Sequence, residues 1–364
     1  MKFHIPSLNG LRAISILMVI FSHFHMHGFL SQNPILKSIS TICFNGPLGV
    51  HIFFTISGYL ITTLLIREET HLGKISLKSF YFRRTVRIFP AYYFLLLVYF
   101  FLSKAGFLHL NNIDWFSSIT YTRQFFISGS FETAHLWSLS VEEIFYLIWP
   151  AIFIFFKRFR ISFTLLFVGF CTFMRFYAYK YPSPDLGTNI LTSGDSLLIG
   201  CFFAIKHDKI LSWMTKWKSY LWLIFPFLAV SVVSYTYLYH LRSAGLSGNL
   251  KSFDVLLAFV YSFFGQKGLV TNLLVGFIIM YSISFQTVWY KFLNIPIFDF
   301  VGKLSYSLYL WQQLFTGDTV FLHQFNFLTL LFFIFIVACT SYFFIERPFL
   351  KLKNFRLKKT DALI

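Results

Sequence analysis

Charged side chains are scarce in this sequence of 364 residues, because Asp, Glu, Lys and Arg together make up 12% of it. A soluble domain carries about 25% of such residues, so a water-exposed surface over most of the chain is excluded. Hydrophobic residues reach 57%, and the 52 Phe suit lipid-facing helices. The composition therefore predicts an integral membrane protein whose first partner is the lipid bilayer.

Acidic residues are scarcer than basic ones, since 14 Asp and Glu stand against 31 Lys and Arg and leave a net charge of +17. An excess of this size suits either nucleic acid or anionic lipid and phosphate. The basic residues fall between apolar segments instead of on one soluble domain. This placement favours topology signals and phosphate contacts over a nucleic-acid partner.

Cysteine is also rare, with four residues that lie in or beside apolar segments and never in CxxC spacing. Neither a metal site nor a disulfide framework follows from them. The first apolar run, near residues 11–30, begins at Arg12 and lacks a small-residue cleavage site. We expect it to be a retained helix, not a signal peptide.

Apolar runs long enough to span a bilayer, about 20 residues each, occur about ten times along the chain. They lie near 9–29, 47–66, 86–103, 141–157, 161–179, 188–205, 219–239, 268–286, 300–320 and 326–346. A shorter run near 253–264 is predicted to be re-entrant or interfacial. The sequence thus predicts an all-α integral membrane protein of about ten transmembrane helices with one additional short segment.

Charge placement predicts the orientation of these spans. The stretch from Arg67 to Arg87 carries six Lys and Arg residues, which is typical of a cytoplasmic loop. A basic tail over 351–364 is also expected in the cytoplasm, after one transmembrane domain over 1–350. Both termini on the cytoplasmic side require an even number of spans, which favours ten. The long loop from about 104 to 140 is then extracytoplasmic.

The first apolar helix carries two polar residues, Arg12 and His23, eleven positions apart. Eleven residues make close to three turns, so both side chains face the same way, about 16 Å apart along the axis. Arg12 is then near the cytoplasmic end and His23 in the outer half of the bilayer. A titratable group at that depth usually faces a cavity or the bundle interior. A hydrogen-bonded histidine without a chemical role is the alternative.

Three arginines, Arg83, Arg84 and Arg87, are spaced to crowd one side of a helix start. Guanidinium groups bind phosphate through two parallel hydrogen bonds. The segment therefore suits a phosphate-rich ligand that arrives from the cytoplasm. A plain positive-inside anchor is the alternative.

The segment HLWSLSVEEIFYLIWP places Glu142 and Glu143 at the start of an apolar helix, just after Trp137 and Ser138. An acid in this position is stabilised by the helix N-terminus, so capping is one interpretation. The functional interpretation is a carboxylate that orients His23 or contacts a substrate hydroxyl. A histidine base with an orienting carboxylate is the minimal device for activating a hydroxyl.

Two further acids lie in or beside apolar segments. Asp195 in SGDSLLIG is predicted to lie inside the membrane, where an acid is a functional candidate by default. Glu346 is followed by Arg347 in FFIERPFLKLK. These two residues are expected to pair with each other or with the arginine cluster at the inner surface.

In their order and combination, these segments resemble the acyltransferase family 3 membrane proteins, which O-acylate carbohydrates. The resemblance extends from about residue 5 to 350. It is carried by Arg12-x10-His23, GVHIFFTISGYLI, RRTVRIFPAYY, HLWSLSVEEIFYL, SGDSLLIG, SYSLYLW and IERP. Many family members read tryptophan-histidine after the SYSLYL stretch, whereas Trp311 is followed here by Gln312. Since Gln can only hydrogen-bond, a proton-transfer role at that position is in doubt.

The resemblance implies that the acyl donor is acetyl-CoA, reached from the cytoplasm, and that no metal is needed. Arg84 and Arg87, together with Arg12, are then expected to bind the CoA phosphates. His23 would be the catalytic base, and Glu142 matches the acid of the family motif.

The function predicted on this basis is an O-acetyltransferase in a bacterial inner membrane that acetylates an extracytoplasmic glycan. The first candidate is the O-antigen of lipopolysaccharide. Trp137, Ser138 and Asp195 are the predicted substrate contacts. The alternatives are a transporter or flippase, in which the same intramembrane charges line a pathway, and a membrane scaffold without enzymatic activity. The oligomeric state is left open.

Overall fold

The computed structural model is a bundle of α-helices. It describes residues 5–26, 45–126, 129–181, 187–243, 251–317 and 325–351. Within these ranges every assigned element is helical, which confirms the all-α prediction. Of the predicted basic tail, 351–364, all but the first residue lies outside the described residues, as do both chain termini.

The helices follow the apolar runs of the sequence. In the first half they are α1 (Leu8–Met26), α2 (Gly46–Leu72), α3 (Leu77–Lys104), α4 (Asn112–Ile119), α5 (Phe131–Ala134), α6 (Leu136–Phe155) and α7 (Arg160–Lys180). In the second half they are α8 (Ile190–Ile205), α9 (His207–Lys216), α10 (Ile224–Ser243), α11 (Lys251–Phe264), α12 (Leu269–Ser284), α13 (Val288–Leu293), α14 (Pro296–Thr316) and α15 (Phe327–Ser341). Local signals set several starts: the Asn45 side chain accepts the backbone N–H of Leu48, which caps α2.

Six helices of the described chain are long and apolar enough to cross a membrane. A seventh is added if the pair His207–Lys216 and Lys218–Ser234, bent by 96°, forms one span. Leu8–Phe24 and Ile190–Ile205 are apolar but shorter. These helices support a multi-pass membrane protein, while the count of ten spans stays a prediction.

The segment near 253–264 differs from the expectation of a separate re-entrant or interfacial piece. It forms α11, and together with α12 it makes one candidate span over Asp254–Ser284. A break between the two helices at residues 265–268 explains the discrepancy, because it divides one long apolar helix into two runs that look independent in the sequence.

Helices α2 and α8 cross at very short distance, and glycines make this possible. A Cβ atom on Gly58 would lie 1.8 Å from the carbonyl oxygen of Leu197, and one on Gly200 would lie 2.1 Å from that of Thr55. Small residues let helix backbones approach closely in membrane bundles. Gly58 therefore serves the packing of α2 against α8.

Helices α1 and α14 lie side by side and run in the same direction. Near their starts, Asn9 donates a hydrogen bond of 2.8 Å to Asp299. Near their ends, His23 contacts Gln312 at 2.7 Å. This alignment brings two segments together that are 289 residues apart in the sequence.

The connection between α3 and α6 is fixed by a buried acid, Asp114. Its carboxylate accepts the backbone N–H groups of Asn111 and Ser130, both at 3.0 Å. The guanidinium of Arg123 lies 3.7 Å away. Burial lowers the pKa of Arg123, and the charge of Asp114 opposes that change. The cluster holds the start of α5 over the end of the bundle that carries His23.

Candidate functional site

A cavity of about 800 Å³, including the space open to solvent, lies between α1, α2, α3, α6 and α14. Its charged lining residues are Arg12, Arg84, Arg87 and Glu142. No three His, Cys, Asp or Glu side chains in the described ranges gather as metal ligands. With three arginines against one carboxylate, the cavity is suited to an anionic ligand.

We call the arginine-rich end of the cavity the basic end. Of the three arginines that are grouped in the sequence, two line this end and one does not. The guanidinium of Arg84 lies 3.7 Å from the ring centre of Tyr146, and its buried Nε has no hydrogen-bond partner among the residues that the structure describes. Arg87 lines the same cavity. Arg83 instead pairs with Glu68 at 2.7 Å and is absent from the cavity lining. Adjacent positions on a helix point about 100° apart, which explains the division.

Glu142 lies inside the cavity, where it accepts a hydrogen bond of 2.7 Å from the hydroxyl of Ser57. The carboxylate is within electrostatic range of Arg12, Arg84 and Arg87. No hydrogen bond joins it to His23 among the residues described. The interpretation of Glu142 as the group that orients His23 is thus not observed, while a contact with a substrate hydroxyl stays a prediction.

His23 lies just beyond the cavity, on the side opposite to the basic end. Its Nδ1 is 2.7 Å from the amide oxygen of Gln312, and its ring meets that of Phe131 edge-on with centroids 6.1 Å apart. Tyr309 lines the cavity and precedes Gln312 by three positions on α14. Three residues correspond to about 4.5 Å along a helix. His23 is therefore less than one turn past the end of the cavity.

Polar groups close this end of the cavity. Ser138, a predicted substrate contact, lines the cavity and shares a hydrogen bond of 2.5 Å with the hydroxyl of Tyr309. Tyr309 in turn donates to the backbone oxygen of His135 at 2.9 Å. Trp137 packs edge-on against Phe54, which is a lining residue, at 6.0 Å between ring centres. No sequence pattern distinguishes Tyr309 from the other tyrosines, of which the chain has 20 in all.

Asp195 is placed away from the cavity, in a fully buried ion pair with Arg175 at 2.8 Å. Its second oxygen accepts a hydrogen bond of 3.1 Å from Asn272. The structure therefore keeps Asp195 out of the cavity lining to which Ser138 belongs. Arg175 was missed by the sequence reasoning, although a basic residue within the apolar run 161–179 was a signal that a buried partner exists.

The acid of the IERP segment, Glu346, is buried and accepts a hydrogen bond from Ser307. It lies within electrostatic range of Arg12 and Arg87, while a direct pairing with the arginine cluster stays a prediction. Arg347 is exposed and lies 5.6 Å from the ring centre of Phe343. The two neighbours thus take different environments and do not pair with each other.

Comparison with known proteins matches residues 5–346 to the family described as the acyltransferase domain, family 3. The chain belongs to this family. The match covers nearly all of the described structure and confirms the resemblance drawn from the ordered motifs. It also agrees with the prediction of an enzyme that transfers acyl groups.

Curated relatives include the O-acetyltransferase OatA of Staphylococcus aureus strain NCTC 8325 / PS 47, which is 30% identical over 341 residues. The OatA of strain COL matches equally well. In both cases the alignment covers 85% of this chain but 50% of the relative. The chain thus spans about half the length of the curated relatives it matches. No solved structure matches the chain significantly.

Proposed function

We propose that this chain is an O-acetyltransferase that moves an acetyl group from cytoplasmic acetyl-CoA to a hydroxyl of an extracytoplasmic glycan. The O-antigen of lipopolysaccharide is the first acceptor to test. The main support is that Arg12, Arg84 and Arg87 line one cavity, which ends less than one helical turn from His23. The name of the relatives, O-acetyltransferase, supports the type of group transferred.

The basic end of the cavity fits the phosphates of a CoA thioester. Phosphate needs planar, fixed donors, and Arg84 offers a buried Nε that makes no hydrogen bond within the described chain. Arg12 comes from a different helix, so the ligand would be held from two sides. Beyond the arginines the lining becomes apolar, with Val50, Phe53 and other side chains of α2. Such a wall suits the pantetheine arm, whose length is similar to the spacing of about 16 Å between Arg12 and His23.

His23 acts in this proposal as the general base. Acetyl-CoA supplies the acetyl group as a thioester. His23 accepts the proton of the acceptor hydroxyl, and the hydroxyl oxygen forms a bond to the acetyl carbonyl carbon. The carbon–sulfur bond then breaks, and the departing sulfur takes the proton from His23. Ser138 and Glu142 both line the cavity from α6, and in this proposal they contact the acceptor.

The proposed topology has ten spans, both termini in the cytoplasm, and the chain in the bacterial inner membrane. The basic end then faces the cytoplasm, as the positive-inside tendency requires. His23 and the connection from α3 to α6 face outwards. A donor from one side and an acceptor from the other could thus meet in a single helical bundle.

The decisive experiment replaces His23 with alanine in a strain that depends on this chain for glycan O-acetylation. Loss of a general base usually lowers the rate about 10²- to 10⁴-fold, so ester-linked acetate released by mild alkali should fall to background. His71→Ala is the matched control, because His71 is exposed near the end of α2. Wild-type acetylation in a His23→Ala strain with equal protein levels would remove His23 from the mechanism.

The acceptor is identified in the same strains. Lipopolysaccharide, peptidoglycan and secreted polysaccharide are isolated separately, and the ester-linked acetate of each is measured. Acetate that disappears from the O-antigen alone supports the proposed acceptor. Acetate that disappears from another glycan, with the O-antigen unchanged, would refute that acceptor but keep the transfer reaction.

A further inference from the structure

Gln312 is the residue that the structure places directly against His23. It is fully buried on α14, and its amide oxygen lies 2.7 Å from Nδ1 of His23. It also occupies the position after Trp311 at which the sequence departs from the tryptophan-histidine pattern. The departure removes a titratable group but leaves a hydrogen-bonding one, so its consequence for His23 can be worked out.

An amide oxygen can only accept a hydrogen bond, and an amide nitrogen can only donate. The oxygen of Gln312 therefore requires that Nδ1 of His23 carries a hydrogen. In a neutral imidazole the other nitrogen, Nε2, is then the basic one. If the amide were turned over, its NH₂ group would face Nδ1, the hydrogen would sit on Nε2, and Nε2 could not accept a proton. The orientation of one amide thus decides which nitrogen of His23 is a base.

The two ends of the Gln312 amide differ. Its oxygen meets His23, whereas its Nε2 is buried and has no hydrogen-bond partner within the described chain, as is also true of the Oε1 of Gln313. The hydrogen bonding of Gln312 within the described chain is therefore directed to His23. The neighbouring Gln313 uses its own NH₂ group to donate to the backbone oxygen of Phe131 at 2.5 Å. The two glutamines therefore have similar burial but different partners.

We infer that Gln312 is a positioning residue for the proposed reaction, holding His23 with the hydrogen on Nδ1 and the lone pair on Nε2. This inference rests on the proposed function, because it needs His23 to act as the base. Gln312 here takes the place that a carboxylate occupies in the usual histidine pair, while the carboxylate of Glu142 is engaged with Ser57. Being neutral, the amide fixes the tautomer without stabilising the charged imidazolium.

The electrostatic surroundings of His23 have to be considered before pH is used as a test. His135, at the turn before α6, interacts electrostatically with His23, and Arg123 interacts with His135 in turn. On α14, Gln312 and Gln313 are neutral. A carboxylate introduced at position 312 is thus a strong local change.

The test compares Gln312→Glu with Gln312→Met and Gln313→Glu in purified, lipid-reconstituted protein, with acetyl-CoA as donor and released thiol as readout. Glutamate can accept from Nδ1 as glutamine does, but it stabilises the imidazolium. A higher pH is then needed to free the base, so the acidic limb of the kcat profile should move up by about 1 pH unit or more. Gln312→Met cannot accept the hydrogen bond and should lower kcat roughly 10- to 150-fold, with the KM for acetyl-CoA changed far less.

Gln313→Glu controls for a buried charge at the same depth and should leave the acidic limb in place. A Gln312→Glu profile that superimposes on the wild-type profile would overturn the inference, and so would an equal shift in Gln313→Glu. If the Gln312→Glu protein does not accumulate, a kcat of Gln312→Met equal to that of the wild type would also overturn the inference. Wild-type activity in His23→Ala would contradict the proposed function itself. An inactive His23→Ala variant, together with Gln312 variants whose kcat and pH profile equal those of the wild type, would contradict this inference alone.

Discussion

Replacing one arginine at the basic end of the cavity should weaken the binding of acetyl-CoA without stopping the chemistry. Arg84→Met and Arg87→Met keep the length and the apolar stem of the side chain but remove its charge. Arg83→Met is the matched control, because Arg83 precedes Arg84 in the sequence but pairs with Glu68 outside the cavity. Each of the three variants removes one positive charge from the same segment of α3.

The size of the effect follows from the contacts. A hydrogen bond to a charged group contributes about 1.5–3 kcal/mol, which corresponds to roughly a 10- to 150-fold change in affinity. Arg84 and Arg87 are half-buried, so the lower part of this range is expected. The phosphates are far from the reacting carbonyl, so the KM for acetyl-CoA should rise while kcat changes little. The surface pair of Arg83 contributes at most about 1 kcal/mol to stability.

The assay measures thiol release from acetyl-CoA by reconstituted protein at several donor concentrations. A second series uses acetyl-dephospho-CoA, which lacks the 3′-phosphate. If an arginine binds this phosphate, replacing it should raise the KM for acetyl-CoA but not the KM for the dephospho donor. Comparing both proteins with both donors isolates the interaction between the arginine and the phosphate. Raising the ionic strength should increase the KM of the wild-type protein and affect the arginine variants less.

A KM within about twofold of wild type in both Arg84→Met and Arg87→Met would contradict phosphate binding by these arginines, since hydrogen bonds to a charged group cannot give so small a change. An increase in Arg83→Met as large as in the other two would be equally damaging. It would mean that the general charge of the surface, and not the cavity, attracts the donor.

Two further predictions concern stability and are measured as the midpoint of thermal unfolding in detergent. Asp195→Leu leaves the guanidinium of Arg175 buried and unpaired, which should cost about 3–5 kcal/mol, and adding Arg175→Met should restore most of that loss. A midpoint equal to wild type in Asp195→Leu would show that the pair is not needed. Gly58→Ala places a Cβ atom 1.8 Å from the carbonyl oxygen of Leu197 and should prevent stable packing of α2 on α8. Gly169→Ala, where nothing lies within 4 Å, should behave as wild type, and equal behaviour of both glycine variants would contradict the packing argument.

The arginine cluster and the break between α11 and α12 show what local sequence patterns can and cannot predict. The spacing of Arg83, Arg84 and Arg87 predicts a basic helix start, whereas α3 begins at Leu77 and carries these arginines more than one turn after its start. It could not say which arginines enter the cavity, because the division depends on where α6 and α14 pack against α3. Similarly, the break between α11 and α12 resembles the boundary of a separate segment in the sequence, whereas in the structure the two helices form one candidate span.

The class of the protein can be predicted from the amino-acid sequence alone. Few charges, long apolar runs and basic loops leave a helical membrane bundle as the solution, because a backbone in lipid must satisfy its hydrogen bonds within the helix. The ordered motifs indicated the family, and the family match agrees. All of these features are local, so each can be read from neighbouring residues.

The tertiary structure alone decided the partners of the key side chains. Glu142 binds Ser57, Asp195 pairs with Arg175, and His23 meets Gln312, which is 289 residues away in the sequence. Such contacts depend on which helix faces meet and at what height, and no local pattern encodes that. The physical reason is that burial in a low-dielectric bundle makes unpaired polar groups costly, so the packing that pairs them fixes the site.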